Sequence, residues 1–209
     1  MKQPQTGFTL VEIAIVLVII GLLLGGVLKG QELITQGKIK NIANDLNGVA
    51  TAIYSYQDRY KKLPGDDNDA GSRWASTTAG TGNGQVGGVI KSLLDCADTD
   101  KATENCLLWQ HLRLAGFIAG DSGTTNAPQH AAGGLLQAQN GALGLSGLMI
   151  CATNLPGKIA NAIDAQFDDG KPGSGQVRGT DNAAALDTAV TSAAYLDNSS
   201  TTYVVCKAP

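Results

Sequence analysis

Hydrophobic residues are concentrated near the start of the chain and become sparse after Ile53. From Phe8 to Leu28 every residue is apolar except Thr9, Glu12 and three glycines. A helix of that length is about 30 Å long, which matches the hydrocarbon thickness of a bilayer. A secretory signal peptide would be shorter and would end in a cleavage site of small residues, and no such site follows this stretch. The pattern predicts a retained membrane-spanning helix over residues 8–28.

The next stretch, residues 29–63, has the pattern of an amphipathic helix. Its apolar residues follow one another in steps of three and four, at Ile39, Ile42, Leu46, Val49, Ile53, Tyr56 and Tyr60. Such spacing places them on one face of a helix. Glycines at positions 37 and 48 weaken the helix locally, and the pair Pro64–Gly65 ends it. We therefore expect the membrane helix to continue to about Lys62 and to pack its apolar stripe on a sheet.

In residues 64–209 the apolar patterns are shorter than in the N-terminal helix, and they alternate with polar loops as in a globular domain. Helices are predicted in GGVIKSLLDCA (87–97), TENCLLWQHLRLAG (103–116, with Thr103 as N-cap) and PGKIANAIDAQFDDG (156–170). Strands are predicted in GLMICAT (147–153), QVRG (176–179) and TTYVVCKA (201–208), and polar loops in 71–88, 120–140 and 170–202. The predicted fold class is α+β, with a long N-terminal helix packed on a small antiparallel sheet that carries long polar loops.

Charge and motifs exclude two classes of function. The net charge is −3 and the pI is near 5.2. The largest cluster of basic residues is the pair Lys61–Lys62. Nucleic-acid binding needs a concentrated basic face, so no nucleic-acid partner is predicted. The run GDSG at 120–123 is similar to a protease nucleophile segment, but a triad would need a histidine far upstream, and His111, which alone precedes the run, lies close to it within a predicted helix. We therefore expect no enzyme activity.

The four cysteines, Cys96, Cys106, Cys151 and Cys206, all follow the apolar segment and have no C-x-x-C spacing. An even number without metal-site spacing favours two disulfides and an oxidising compartment. Three connectivities are open, and some of the thiols could instead be free and buried. We predict Cys96–Cys106 as a short local loop and Cys151–Cys206 because both of the latter lie in predicted strands.

The leader MKQPQTG followed by FTLVEIAIVLVIIGLLLGG resembles the class III signal of type IV pilins and type II secretion pseudopilins. The resemblance covers about the first 30 residues and implies a pilin-like fold. It implies that residues 1–7 are a leader that a prepilin peptidase removes after Gly7, and that Phe8 becomes the N-methylated terminus. Many pilins have a proline further along this helix, and this span has none. Its glycines could supply similar pliability or could allow close helix packing.

If cleavage makes Phe8 the first residue, Glu12 is the fifth, and members of that family have an acid at this position. An acid within an apolar span costs a few kcal/mol and usually marks a paired functional site. The positive terminus of a neighbouring subunit, about 4 Å away, would return roughly 4 kcal/mol at an effective dielectric of about 20. We therefore expect Glu12 to set the register between subunits of a filament. The alternative is a carboxylate that reaches the lipid headgroups.

Two aspartate clusters are candidate calcium ligands, because calcium prefers oxygen donors. The resemblance adds that some pseudopilins have a calcium site in their C-terminal loop. Asp66, Asp67 and Asp69 form one cluster; Asp164, Asp168 and Asp169 form the other, and are the better candidates. Neither follows the full D-x-D-x-D-G loop, and Asp-Asp-Gly is also an ordinary turn. No other cofactor is predicted.

The sequence thus predicts a structural subunit of a type IV pilus-like filament, with domains at 1–7 (leader), 8–28 (filament-core helix), 29–63 (helix continuation) and 64–209 (globular domain). The alternatives are a secretion or competence pseudopilin and, from another class, a membrane-tethered periplasmic enzyme or adhesin. The expected partners are other copies in a helical filament, a prepilin peptidase, an inner-membrane assembly platform and minor pilins. The expected location is the inner membrane before assembly, then an extracellular filament or a periplasmic pseudopilus.

Overall fold

The computed structural model describes residues 9–88, 96, 103–181, 186, 190, 193–198 and 200–209. The helices within these ranges are α1 (Leu10–Tyr60), α2 (Ala70–Arg73), α3 (Glu104–Leu114) and α4 (Gly157–Phe167). The strands are β1 (Leu136–Ala142), β2 (Leu145–Pro156), β3 (Val177–Asp181) and β4 (Thr202–Lys207). The chain divides into two compact units, Met1–Gly37 and Lys38–Pro209, so α1 contributes to both.

Helix α1 is unbroken over 51 residues, and neither Gly37 nor Gly48 interrupts it. The predicted stripe is confirmed: its central members are buried and its ends, Ile39 and Tyr60, are partly buried against the same core. The helix ends just before the Pro64–Gly65 pair, as expected. Gly65 has a φ of +90°, and a Cβ there would collide with the backbone carbonyl oxygen of Glu104. Glycine is therefore required where the chain turns from α1 towards α3.

The four strands form an antiparallel sheet in the order β1-β2-β4-β3. Successive residues of β4 face opposite sides: Tyr203 and Val205 join the core that contains α1, α3 and α4, whereas Val204 and Cys206 join a second cluster. Leu143 and Leu186 also belong to that second cluster. Apolar residues therefore cover both faces of the sheet, which explains why a β4 run such as YVVC is apolar throughout.

Both predicted disulfides are confirmed, and all four cysteines are used. Cys96–Cys106 ties the segment before α3 to its first turn. Cys151 and Cys206 lie directly opposite each other on β2 and β4, and neither side chain is exposed. The second bridge therefore joins the two central strands of the sheet inside the second cluster.

One sequence prediction is wrong: residues 136–140 belong to β1 and not to a polar loop. Leu136 and Ala138 lie in the main core, and Gln137 and Gln139, which alternate with them, are also buried. A strand is usually recognised by alternating apolar and polar residues. In β1 the alternating residues are mainly alanine and glutamine, so the contrast is weak. Two smaller differences are that β2 extends to Pro156 and that α2 was not predicted. The predicted helix at 87–97 falls largely outside the described residues.

Candidate functional site

The first half of α1 exposes a continuous apolar surface. Exposed fractions include 88% for Leu10, 73% for Leu22 and 66% for Leu28. By length and composition, α1 could cross a membrane: an 18-residue window has mean hydropathy 2.8 and none of it is buried. An apolar surface of this extent needs a lipid or protein environment to cover it.

Thr9 and Glu12 form a capping box at the beginning of this surface. The Thr9 hydroxyl oxygen accepts a hydrogen bond from the Glu12 backbone N–H at 3.3 Å. In return, Glu12 Oε2 accepts hydrogen bonds from the Thr9 backbone N–H and the Thr9 hydroxyl, both at 2.7 Å. This reciprocal pairing satisfies two of the backbone donors that a helix leaves free at its N-terminus. Gly7 and Phe8 lie outside the described residues.

The capping box uses only one of the two carboxylate oxygens of Glu12. Glu12 is exposed, and Oε1 accepts no hydrogen bond from any described residue. The carboxylate is therefore oriented by its own helix while one oxygen stays open to a cation from outside the chain. The sequence analysis missed the role of Thr9, although Thr-x-x-Glu before an apolar run is a recognisable capping-box signal.

We expect Thr9→Val to loosen the first turn of α1, whereas Thr9→Ser preserves it. Valine keeps the branched shape but has no oxygen, and loss of an N-cap costs about 1 kcal/mol. Amide hydrogen exchange of the mature protein in detergent should then be about fivefold faster at residues 10–12. Equal exchange rates in the two variants would contradict the capping role.

The glycines of the apolar segment pack against no other described part of the chain. A Cβ built at Gly21, Gly25, Gly26 or Gly30 would meet nothing within 4 Å, and α1 is helical through all four positions. No contact inside the described chain requires the absence of a side chain there. The surface that they leave open is available to another helix.

The first aspartate cluster stabilises the turn that follows α1. The Asp66 carboxylate accepts hydrogen bonds from the backbone N–H groups of Asn83 (2.9 Å) and Gly84 (2.7 Å). Asp67 accepts one from the Tyr56 hydroxyl at 2.6 Å and forms an ion pair with Arg73. Both aspartates are buried, and these partners satisfy their carboxylates.

The second aspartate cluster, Asp164, Asp168 and Asp169, likewise stabilises the loop after α4. Asp164 accepts hydrogen bonds from the Tyr195 hydroxyl (2.6 Å) and from a loop N–H at Gly170 (2.9 Å), and burial raises the pKa of its carboxyl. Asp168 accepts from the backbone N–H groups that begin β3, including Val177 at 3.0 Å. Asp169 accepts from the Ser174 hydroxyl at 2.6 Å.

The calcium prediction is therefore not supported by the arrangement of these side chains. Asp164, Asp168 and Asp169 each bind a different part of the loop, and the described part of the chain contains no group of three acidic, His or Cys side chains placed to hold a metal ion. The spacing that suggested oxygen ligands is instead the spacing of helix-exit and turn residues, whose carboxylates bind backbone N–H groups.

Comparison with known families identifies the N-terminal region. Residues 2–28 match the prokaryotic N-terminal methylation motif, which is the class III signal of type IV pilin and pseudopilin precursors. The match confirms the resemblance drawn from the sequence and includes Gly7, Phe8, Thr9 and Glu12. No curated protein and no solved structure matches the chain. The chain therefore carries a prepilin-type signal followed by an exposed apolar helix and an α+β domain.

Proposed function

We propose that this protein is the structural subunit of a type IV pilus-like filament. In this proposal a prepilin peptidase cuts after Gly7 and Phe8 becomes the methylated terminus. The methylation motif over residues 2–28 is the observation that carries the proposal. The role is structural and requires no catalytic group or cofactor.

The exposed first half of α1 supports assembly through this helix. The described residues of the chain leave its apolar side chains uncovered, whereas a bundle of copies would bury them. The open positions of the four glycines would let neighbouring helices approach closely. Before assembly, a bilayer would cover the same surface, so the helix would serve first as an inner-membrane anchor and then as the filament core.

Glu12 is proposed to select the register between copies. Burying an acid without a partner costs free energy, whereas a positive terminus opposite the acid offsets much of that cost. Cleavage after Gly7 would create such a terminus four residues before Glu12 in every copy. The open Oε1 of Glu12 is suited to receive it from a neighbour, while Oε2 keeps its hydrogen bonds to Thr9.

An extracellular pilus is preferred over a periplasmic pseudopilus. Two buried disulfides stabilise the globular domain; they fit an oxidising environment and would help the protein persist at a cell surface. The long polar loops would provide the outer surface of such a fibre. Electron microscopy of sheared surface material should show filaments that contain this chain, and filaments confined to the periplasm would favour the pseudopilin alternative.

The intact mass of the mature protein tests the proposed processing. We expect the loss of Met1–Gly7 and the addition of one methyl group at Phe8. A Gly7→Leu variant is the control, because a bulky residue at the cleavage site should leave the precursor uncut and unmethylated. An uncut N-terminus in the wild-type protein from cells with the assembly machinery would refute the proposed function.

A further inference from the structure

Both histidines of the chain, His111 and His130, are buried in the globular domain. His111 lies on α3 and is 0% exposed, and His130 lies in the loop before β1 and is 4% exposed. A histidine in water becomes charged below about pH 6.5, and burial opposes that charge. The surroundings of the two rings therefore determine how the domain responds to acid.

The His111 ring connects the turn after α1 to the segment after α2. Its Nδ1 accepts a hydrogen bond from the backbone N–H of Gly65 at 3.0 Å. Its Nε2 lies 3.2 Å from the backbone carbonyl oxygen of Thr78, which can only accept, so Nε2 carries the proton. The two contacts together select the neutral ring with its proton on Nε2.

The His130 ring has the same arrangement in another part of the domain. Its Nδ1 accepts a hydrogen bond from the backbone N–H of Ala132 at 3.2 Å. Its Nε2 lies 2.8 Å from the carbonyl oxygen of Thr153 in β2, and therefore donates to it. A Cβ at Gly134 would collide with this carbonyl oxygen and with Nε2, so the contact is closely packed. The ring thus connects the loop before β1 to β2.

The groups around His111 give little support to a charged ring. The Asp67 carboxylate would attract the charge, but it already forms an ion pair with Arg73, whose guanidinium opposes protonation. On the α1 side, the Tyr56 ring stacks on the imidazole with 6.3 Å between ring centroids, and its hydroxyl donates to Asp67. Burial outweighs these contributions and lowers the pKa of His111.

The charged group that faces His130, among the described residues, is Asp45 of α1. Its carboxylate is exposed to water, which screens its attraction for a charged imidazole. From β2 the ring meets the uncharged Thr153. Burial is again the largest effect, and it lowers the pKa of His130.

We propose that His111 and His130 together form an acid-sensitive switch in the globular domain. When either ring takes up a second proton, Nδ1 becomes a donor and faces the backbone N–H from which it had accepted a hydrogen bond. That N–H then has no acceptor in a buried site, which is destabilising. Acid therefore weakens the contact of the Gly65 turn with α3 and the contact of the Ala132 loop with β2.

The stability of the domain should fall as the pH drops below about 6.5. In the unfolded chain both histidines become charged near that pH, whereas the lowered pKa keeps both neutral in the folded chain. The unfolded state then binds more protons, so the unfolding equilibrium constant rises. Between about pH 7.5 and about pH 5.5 it should rise roughly hundredfold, which is roughly tenfold for each histidine. Urea unfolding of the full chain in detergent, followed by tryptophan fluorescence, measures this constant.

Asparagine variants test each histidine separately. In His111→Asn and His130→Asn, the amide oxygen is bonded to Cγ, as Nδ1 is, so it can accept from Gly65 or Ala132 but cannot titrate. Each single variant should retain only a rise of roughly tenfold, and the double variant should lose nearly all of it. An unchanged hundredfold rise in these variants would overturn the switch.

NMR of the imidazole rings tests the wild-type protein without any substitution in the switch. Both rings should show the neutral form with a proton on Nε2 down to about pH 5.5. Asn47→His, which adds a histidine at an exposed position of α1, is the control and should titrate near pH 6.5. If His111 or His130 titrates together with the control histidine, the fold does not hold that ring neutral and the switch is wrong.

The switch does not depend on the proposed function, because it lies within the fold of the globular domain. If the wild-type chain keeps its leader and forms no filaments, the proposed function is wrong and the pH dependence is unaffected. If the unfolding constant is the same at about pH 7.5 and about pH 5.5, the switch is wrong whether or not filaments form.

Discussion

Glu12→Ala is expected to abolish filaments while membrane insertion and cleavage after Gly7 continue. The substitution would leave the positive terminus of the neighbouring copy without a partner in apolar surroundings. An uncompensated charge of that kind costs about 3–5 kcal/mol, and the loss is repeated at every contact along the filament. The yield of sheared filaments measures assembly, and the intact mass of the membrane-bound protein measures cleavage and methylation.

Glu12→Gln separates the charge of this residue from its capping role. Glutamine can still accept hydrogen bonds from Thr9, so the first turn of α1 should remain intact. It carries no charge, so filaments should be lost as in Glu12→Ala. If Glu12→Gln assembles normally, the carboxylate acts only as a cap and does not set the register. Normal filaments from Glu12→Ala would exclude both roles in assembly.

Removal of the Cys151–Cys206 disulfide should lower the free energy of unfolding more than removal of the other disulfide, Cys96–Cys106. In the loop-entropy account, a bridge across 55 residues stabilises the folded state by about 4 kcal/mol. For a domain of this size, each kcal/mol corresponds to about 2–4 °C. The Cys151→Ala/Cys206→Ala variant should therefore melt about 8–16 °C below the wild-type protein, as measured by circular dichroism of the mature chain in detergent.

The other disulfide provides the matched comparison. Cys96–Cys106 spans 10 residues, for which the same account gives about 3 kcal/mol. Cys96→Ala/Cys106→Ala should thus lower the melting temperature less than removal of the cross-strand bridge. A larger effect from the short loop would show that local contacts of these cysteines, and not loop closure, determine the stability.

Sequence patterns identified the elements whose signals are long or local. Helix α1 was predictable because an apolar run and a stripe in steps of three and four extend over many turns. Strand β4 was predictable from a dense β-branched and aromatic run. Strand β1 was missed because its alternation is carried by alanine and glutamine, and Gln137 is buried by its neighbours in the sheet and not by its own hydrophobicity.

The sequence analysis likewise identified one residue of the candidate site, Glu12, and missed its capping partner. Glu12 stood out because an acid in an apolar run conflicts with its surroundings, and the family resemblance suggested its partner. The capping partner Thr9 was present as a local signal but was overlooked. The aspartates were only candidate calcium ligands in the sequence, because spacing alone cannot distinguish metal ligands from residues that bind loop backbone.

The sequence alone is sufficient to specify the long helix, the prepilin-type signal and the acid near the start of the helix, because these depend on composition and on neighbours a few residues away. Only the tertiary structure decided what the aspartates bind and which face of the sheet Cys151 and Cys206 occupy. Those properties depend on contacts between residues far apart in the sequence, such as Asp164 with Tyr195. No local pattern encodes such contacts, because they form when the sheet brings distant segments together.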